Sequence, residues 1–338
     1  MPCLEELDLT TWVLSNELMY RILSGCAGTL KKLTLETIYG FDEGLFLYDN
    51  GSNSNGVGSK WILPHVVFLR LRLAWAGPPI SVLLPQLCPS LEYIRLTLDM
   101  EQYSLPELVS ALRKNCPKLH TIRYFEGYSD SYDLGFPPEP QLYASLFKDS
   151  FSTPGLRYAT MELPEGLDQH MLDALLFHAS TLETLEFKFS LNERSSDRQP
   201  FCTTQDMKRV VELLVRCEKL KIFGLSQVNC LVQTLDELSS LPWRCCGLER
   251  LNIDGYRPSY PIHQGMRQQG FHQEYRDVGQ GWFLKPELDT SSLKDALLDG
   301  GWKRRLFGHM YRISGIKHAK YVKLNKTEFF AKDLLPST

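Results

Sequence analysis

The sequence has no apolar run long enough to cross a bilayer, and its opening residues, "MPCLEELDLTTW", carry no basic segment followed by an apolar core. No membrane span and no secretory leader are therefore expected. It also has no surplus of positive charge. Lys and Arg number 37 against 40 Asp and Glu, for a net charge of −3. That balance argues against a protein whose main task is gripping nucleic acid. Metal-finger spacing is absent, with no pair of C-x-x-C motifs and no closely spaced histidine pair that would complete a zinc site. Neither H-E-x-x-H nor G-x-S-x-G occurs. "GSNSNGVGSKW" (51–61) has the glycines, serine and lysine of a phosphate loop but not the G-K-[ST] order, and its composition suits a flexible insertion. The eight histidines are scattered; His170 and His178 share a helical stretch but stand eight residues apart, too far for one metal. No catalytic set, metal or cofactor is expected. The nine cysteines are odd in number, which with no leader favours free thiols in a reducing compartment, cytoplasmic or nuclear. The sequon Asn325-Lys326-Thr327 is then a chance match.

What is present is periodicity. Hydrophobic residues make up 43% and charged residues 23%, an ordinary globular composition, but 338 residues exceed one core of usual size. Two domains or an elongated repeat array are the options. The pattern apolar-x-x-apolar-x-apolar decides for the array. It occurs as "LEELDL" (4–9), "LKKLTL" (30–35), "VVFLRL" (66–71), "LEYIRL" (91–96) and "LHTIRY" (119–124). It returns as "LRYATM" (156–161), "LETLEF" (182–187), "LKIFGL" (220–225) and "LERLNI" (248–253), with a weak last copy "AKYVKL" (319–324). The first nine starts are 26, 36, 25, 28, 37, 26, 38 and 28 residues apart, a short class and a class longer by a surface loop. Between copies lie helical patterns at 15–25, 105–116, 167–180 and 203–217. Ser15 and the segment "TTQDM" supply N-caps, and Asp206 places an acid in the first turn. Each unit is thus a strand followed by a helix, and only stacking buries its apolar face.

Cysteines recur in phase. Cys88, Cys116, Cys217 and Cys245 stand three residues before the first apolar position of a copy, and Cys26 four before. A buried thiol acts as a small hydrophobe at the turn into the strand. The segments "CPSLEYIRL" (88–96), "CPKLHTIRY" (116–124), "RCEKLKIFGL" (216–225) and "PWRCCGLERLNI" (242–253) resemble the cysteine-containing leucine-rich repeats found behind F-box domains. "KRRLFGHMYRISGIKHAKYVKL" resembles a closing repeat of fungal F-box-like proteins. The resemblance implies an α/β leucine-rich-repeat solenoid over 1–338, curved, with parallel strands on the concave face and helices on the convex one. It further implies substrate recognition for a cullin-type ubiquitin ligase. No F-box precedes the first copy; the chain opens almost inside a strand, without a capping unit. Either a longer protein or an exposed first unit is expected on that ground. Insertions are expected at about 39–60, 126–150, 190–203 and 255–295.

Residues between the inward leucines point outward. The middle outward position reads Asp8, Thr34, Arg70, Arg95, Arg123, Thr160, Glu186, Gly224, Asn252. The next reads Thr10, Glu36, Arg72, Thr97, Phe125, Glu162, Lys188, Ser226, Asp254. Phe68, Tyr93 and Tyr158 precede the central apolar residue of their copies. Arginine mixed with aromatics is the composition of a binding hot spot, and arginine matches carboxylate or phosphate. Arg70, Arg72, Arg95, Arg123, Phe68, Tyr93, Phe125 and Tyr158 are therefore the candidate partner-binding residues. The alternative is a solvated face whose arginines pair with neighbouring acids, or one covered by the acidic, aromatic segment 126–140. A non-enzymatic scaffold is expected, with an acidic or phosphorylated protein or peptide partner, no nucleic acid and no membrane. Competing readings are a small-GTPase regulator or enzyme inhibitor, and an enzyme with a pocket in 255–315.

Overall fold

The computed structural model describes residues 3–36, 62–72, 84–98, 105–126, 140–163, 166–189, 203–228, 243–245, 247–255, 321–324 and 327–330. The loops expected at 39–60, 190–203 and 255–295, the segment 127–139 and the pocket region 256–315 lie outside these residues, save Thr203 and Gly255. The chain forms two compact units, Met1–Glu162 with Asp168–Thr184, and Leu163–Leu167 with Leu185–Thr338.

In the first unit the strands are β1 (Glu6–Thr10), β2 (Lys32–Glu36), β3 (Phe68–Arg72), β4 (Tyr93–Leu98), β5 (Thr121–Glu126) and β6 (Tyr158–Leu163). Each runs parallel to the next in chain order. Helices α1 (Asn16–Cys26), α2 (Leu105–Asn115), α3 (Pro140–Lys148) and α4 (Gln169–Phe177) belong to the same unit. The second unit has β7 (Thr184–Phe189), α5 (Thr204–Arg216), β8 (Ile222–Val228), β9 (Arg250–Gly255), β10 (Tyr321–Leu324) and β11 (Thr327–Phe330). There β8, β9 and β10 are parallel neighbours, while β11 turns back antiparallel on β10. The fold is α/β, built on parallel strands and helices. No helix among the described residues is long and apolar enough to cross a membrane.

The leucine pattern explains the layering. Its inward residues Leu33, Leu35, Leu69, Leu71, Ile94, Leu96, Ile122 and Tyr124 are buried, as are Met19 and Leu23 of α1 and Leu108 and Leu112 of α2. Each such side chain contributes about 1.5–3 kcal/mol by leaving water. The chain segment entering each strand repeats one device. The carbonyl of Glu5 accepts from Lys31 and Lys32, that of Lys31 from Val67 and Phe68, and that of Val67 from Glu92 and Tyr93. Glu92 then serves His120 and Thr121, His120 serves Arg157 and Tyr158, and Arg157 serves Glu183 and Thr184. Lys221 does the same for Glu249 and Arg250 in the second unit. In each of these runs a strand takes its phase from the one before.

The in-phase cysteines sit at the turn that feeds this device. The carbonyls of Cys88, Cys116, Cys217 and Cys245 accept from Leu91, Leu119, Leu220 and Leu248 at 3.1–3.2 Å, and that of Cys26 accepts from Leu30 at 2.9 Å. All five thiols are buried. Burial pushes Cys116 and Cys217 up to about 12 and raises Cys26 and Cys88, so the groups stay protonated and inert. The Cys116 thiol donates back to the carbonyl of Pro85, 3.4 Å away. His178 occupies the same phase, four residues before Leu182 as Cys26 is before Leu30, and its carbonyl accepts from Leu182 at 3.0 Å.

The helix expectations hold to within a residue or two at most ends, with Ser15, Asp168 and Thr203 as N-caps. The insertion drawn at 126–150 contains α3, whose Tyr143, Ala144, Leu146 and Phe147 are buried. Asp206 does more than face a helix end. It completes a capping box with Thr203, and its Oδ1 accepts from Leu167 N at 2.9 Å.

Candidate functional site

The strand register sets the outward side chains of β3, β4 and β5 on a grid. One row reads Phe68, Tyr93, Thr121; the next Arg70, Arg95, Arg123; the third Arg72, Thr97, Phe125. Neighbouring strands lie about 4.8 Å apart, so each residue faces its row partners directly. These nine positions hold four arginines and three aromatic residues, and no acid. Eight are partly exposed; Thr121 is buried. In the flanking strand β2 the rows continue as Lys32, Thr34 and Glu36. In β6 they continue as Tyr158 and Thr160, followed by Glu162.

The three arginines of the middle row meet different fates. Arg70 Nε lies at ion-pair distance from Glu36 Oε1, although Glu36 stands opposite Arg72 in the register. The contact is an ion pair without the angles of a hydrogen bond, since Nε finds no hydrogen-bond acceptor. Arg95 lies over the Phe125 ring, 4.8 Å from its centroid. Arg123 lies over the Tyr93 ring at 5.7 Å. Both contacts are diagonal: Arg95 of β4 reaches forward along β5, and Arg123 of β5 reaches back along β4. In this crossing each guanidinium gains about 0.5–2 kcal/mol from a ring, while the two charges still act on each other. Tyr93 in turn stacks on Phe68, with centroids 4.5 Å apart and planes 17° from parallel.

The cluster is electrostatically loaded. Burial, and after it the charge of Arg70, holds the Arg95 guanidinium below the usual arginine value; Tyr93 and Glu36 work the other way, and Arg123 adds to the lowering. The Nε atoms of Arg72 and Arg95 are buried with no hydrogen-bond partner among the described residues. Such donors are costly to leave unmade.

Seven of the eight residues singled out from the sequence thus share one surface. Tyr158 continues the first row on β6 but meets a different arginine. It faces Thr121 in the register, its ring lies under Arg157 at 5.5 Å, and His120 tilts against it at 6.0 Å. Arg157 is itself bound to Glu183, which raises it above its ordinary value. The expectation of arginines paired with acids describes Arg70 alone within the row, among the described residues. Glu36 was visible as an outward residue of its copy, but its reach to Arg70 depends on a diagonal contact that periodicity does not give.

The described residues hold no group of His, Cys, Asp and Glu able to bind a metal ion. His178 is fully buried and structural: Nδ1 accepts from Gly155 N and Leu156 N at 3.1 and 3.2 Å, and Nε2 donates to Phe147 O at 2.8 Å. His65 is exposed, and His120 lies 3.8 Å from Glu92. What the described surface offers is an array of cations and rings on one strand-aligned face. No model of a known protein family matches the chain, and no curated protein matches it.

Proposed function

We propose that the chain is a non-enzymatic protein-interaction scaffold of leucine-rich-repeat solenoid architecture, binding its partner through the arginine–aromatic grid of β3, β4 and β5. The observation that carries this reading is the combination on one strand-aligned surface of four arginines, three aromatic side chains and no acid. Rings hold the guanidinium planes in place, so less rotamer freedom is lost when a partner arrives. The partner is an acidic or phosphorylated protein segment. The resemblance of the repeats to those behind F-box domains supports a role in selecting substrates for a cullin-type ubiquitin ligase.

Joint replacement of Arg70, Arg95 and Arg123 by Ala tests the surface. Partner affinity should fall at least about thirtyfold, with the loss in the dissociation rate, while the circular dichroism spectrum is unchanged. Unaltered affinity in a folded variant rejects this face. Co-purification of the ligase adaptor subunit with the full-length protein tests the ligase role, and a stoichiometric substrate complex that never contains the adaptor rejects it.

A further inference from the structure

The grid separates the two chemistries left open above, acidic and phosphorylated, and the argument rests on that binding reading. Arg70 shows what one guanidinium does with one carboxylate: Glu36 of the same chain occupies it, and the Glu36 side chain is only 13% exposed. Neither Arg95 nor Arg123 has an acid at ion-pair distance among the described residues; Glu36 reaches Arg95 only through its charge. The two arginines face each other across β4 and β5, each held by a ring on the other's strand. A ring fixes the guanidinium plane without consuming its N–H donors, and a guanidinium carries five. Two cations on facing positions are not neutralised by a single carboxylate. A phosphomonoester carries close to two negative charges and three acceptor oxygens, enough for both. The stacked pair Phe68 and Tyr93 adds an apolar shoulder beside the charges, which a bare anion would not use.

We propose that Arg95 and Arg123 together seat a phosphorylated serine or threonine side chain of the partner, and that Glu36 keeps Arg70 out of that seat. Glu36 thereby sets specificity. By holding Arg70 it leaves a two-arginine seat matched to a dianion and withholds the single guanidinium that an ordinary acidic side chain would take.

The test uses the full chain and three probes followed by calorimetry: N-acetyl-Gly-phosphoserine-Gly amide, the same peptide with glutamate in place of phosphoserine, and inorganic phosphate. The phosphopeptide should bind at least about tenfold more tightly than the glutamate peptide and than inorganic phosphate. Arg95→Lys and Arg123→Lys keep the charge but lose the planar fork, and each should weaken phosphopeptide binding about tenfold, whereas Arg70→Lys should change it less than about threefold. Glu36→Gln should tighten the glutamate peptide and narrow the preference. Equal affinity for the two peptides, the largest loss at Arg70, or inorganic phosphate binding as well as the phosphopeptide would each overturn the proposal, as would no binding at all. If the triple arginine variant loses its protein partner while the phosphate preference is missing, the seat is rejected and the recognition face stands. If that variant keeps its partner, both are rejected. Lysine variants retain the positive charge, and unfolding curves recorded beside the titrations separate lost binding from lost fold.

Discussion

His178 ties together separate parts of the first unit through one side chain. It bridges three backbone groups of the preceding segment, accepting from Gly155 and Leu156 and donating to Phe147. That arrangement needs the neutral imidazole with its proton on Nε2, because a proton on Nδ1 would face two N–H donors. Burial therefore lowers its pKa from 6.5 to about 4, partly offset by the bond to Phe147. The unfolded chain binds the proton first, so stability is whole above pH 6.5 and declines as pH falls towards about 4. The full effect is about 3 kcal/mol. Urea unfolding between pH 7 and 4 checks this, and His178→Gln should flatten the slope while lowering stability at pH 7. An unchanged slope in that variant would place the dependence elsewhere. The sequence showed His178 only as a distant partner of His170. Its real place was encoded in phase with Cys26, but a histidine in a cysteine's position breaks the very pattern that would reveal it.

Helix α5 is anchored at its start by more than its cap. Thr203 and Asp206 cap each other, Asp206 also accepts from Leu167 N, and Arg209 donates to the Leu167 carbonyl at 2.6 Å. Thr203→Ala should cost about 1 kcal/mol, the worth of an ordinary cap. Asp206→Ala should cost about 3 kcal/mol, because it also strands buried donors and a cation; chemical denaturation of both variants measures the gap. The strand cores have a comparable single-residue handle. Leu96 is fully buried, and Leu96→Ala should cost about 2–5 kcal/mol by the same measurement. Parallel strands were the legible elements because inward residues at fixed spacing mark them, and Leu69, Leu71, Ile94 and Leu96 all fall inside as that spacing requires; the antiparallel β11 matches no copy of the pattern. Helix α3 was not legible. It has nine residues, begins at Pro140, and follows a run rich in Pro, Gly and Asp that reads as loop. The grid was legible in composition, since the outward arginines and rings follow from alternation. Its pairings were not: Arg95 with Phe125, Arg123 with Tyr93 and Glu36 with Arg70 are diagonal choices made by side chains after the register is set.

At the scale of the molecule, buried thiols offer a native reporter for each compact unit. Cys26, Cys88 and Cys116 lie in the first, Cys217 and Cys245 in the second, and Cys3 is exposed. Under native conditions a thiol reagent should label Cys3 in the dead time and leave those five unmodified, as peptide mass spectrometry would show. With rising denaturant, Cys26, Cys88 and Cys116 should become reactive together; separate midpoints would mean that the first unit does not unfold cooperatively. The shared carbonyl at each strand entry has a consequence beyond stability. Because Lys31, Val67, Glu92 and His120 hand the alignment directly from one strand to the next, the arginine row takes its level from the strand entries themselves. A backbone change that left those carbonyl contacts intact would leave the row aligned, whereas one that broke a single entry would misplace every strand downstream of it in that run.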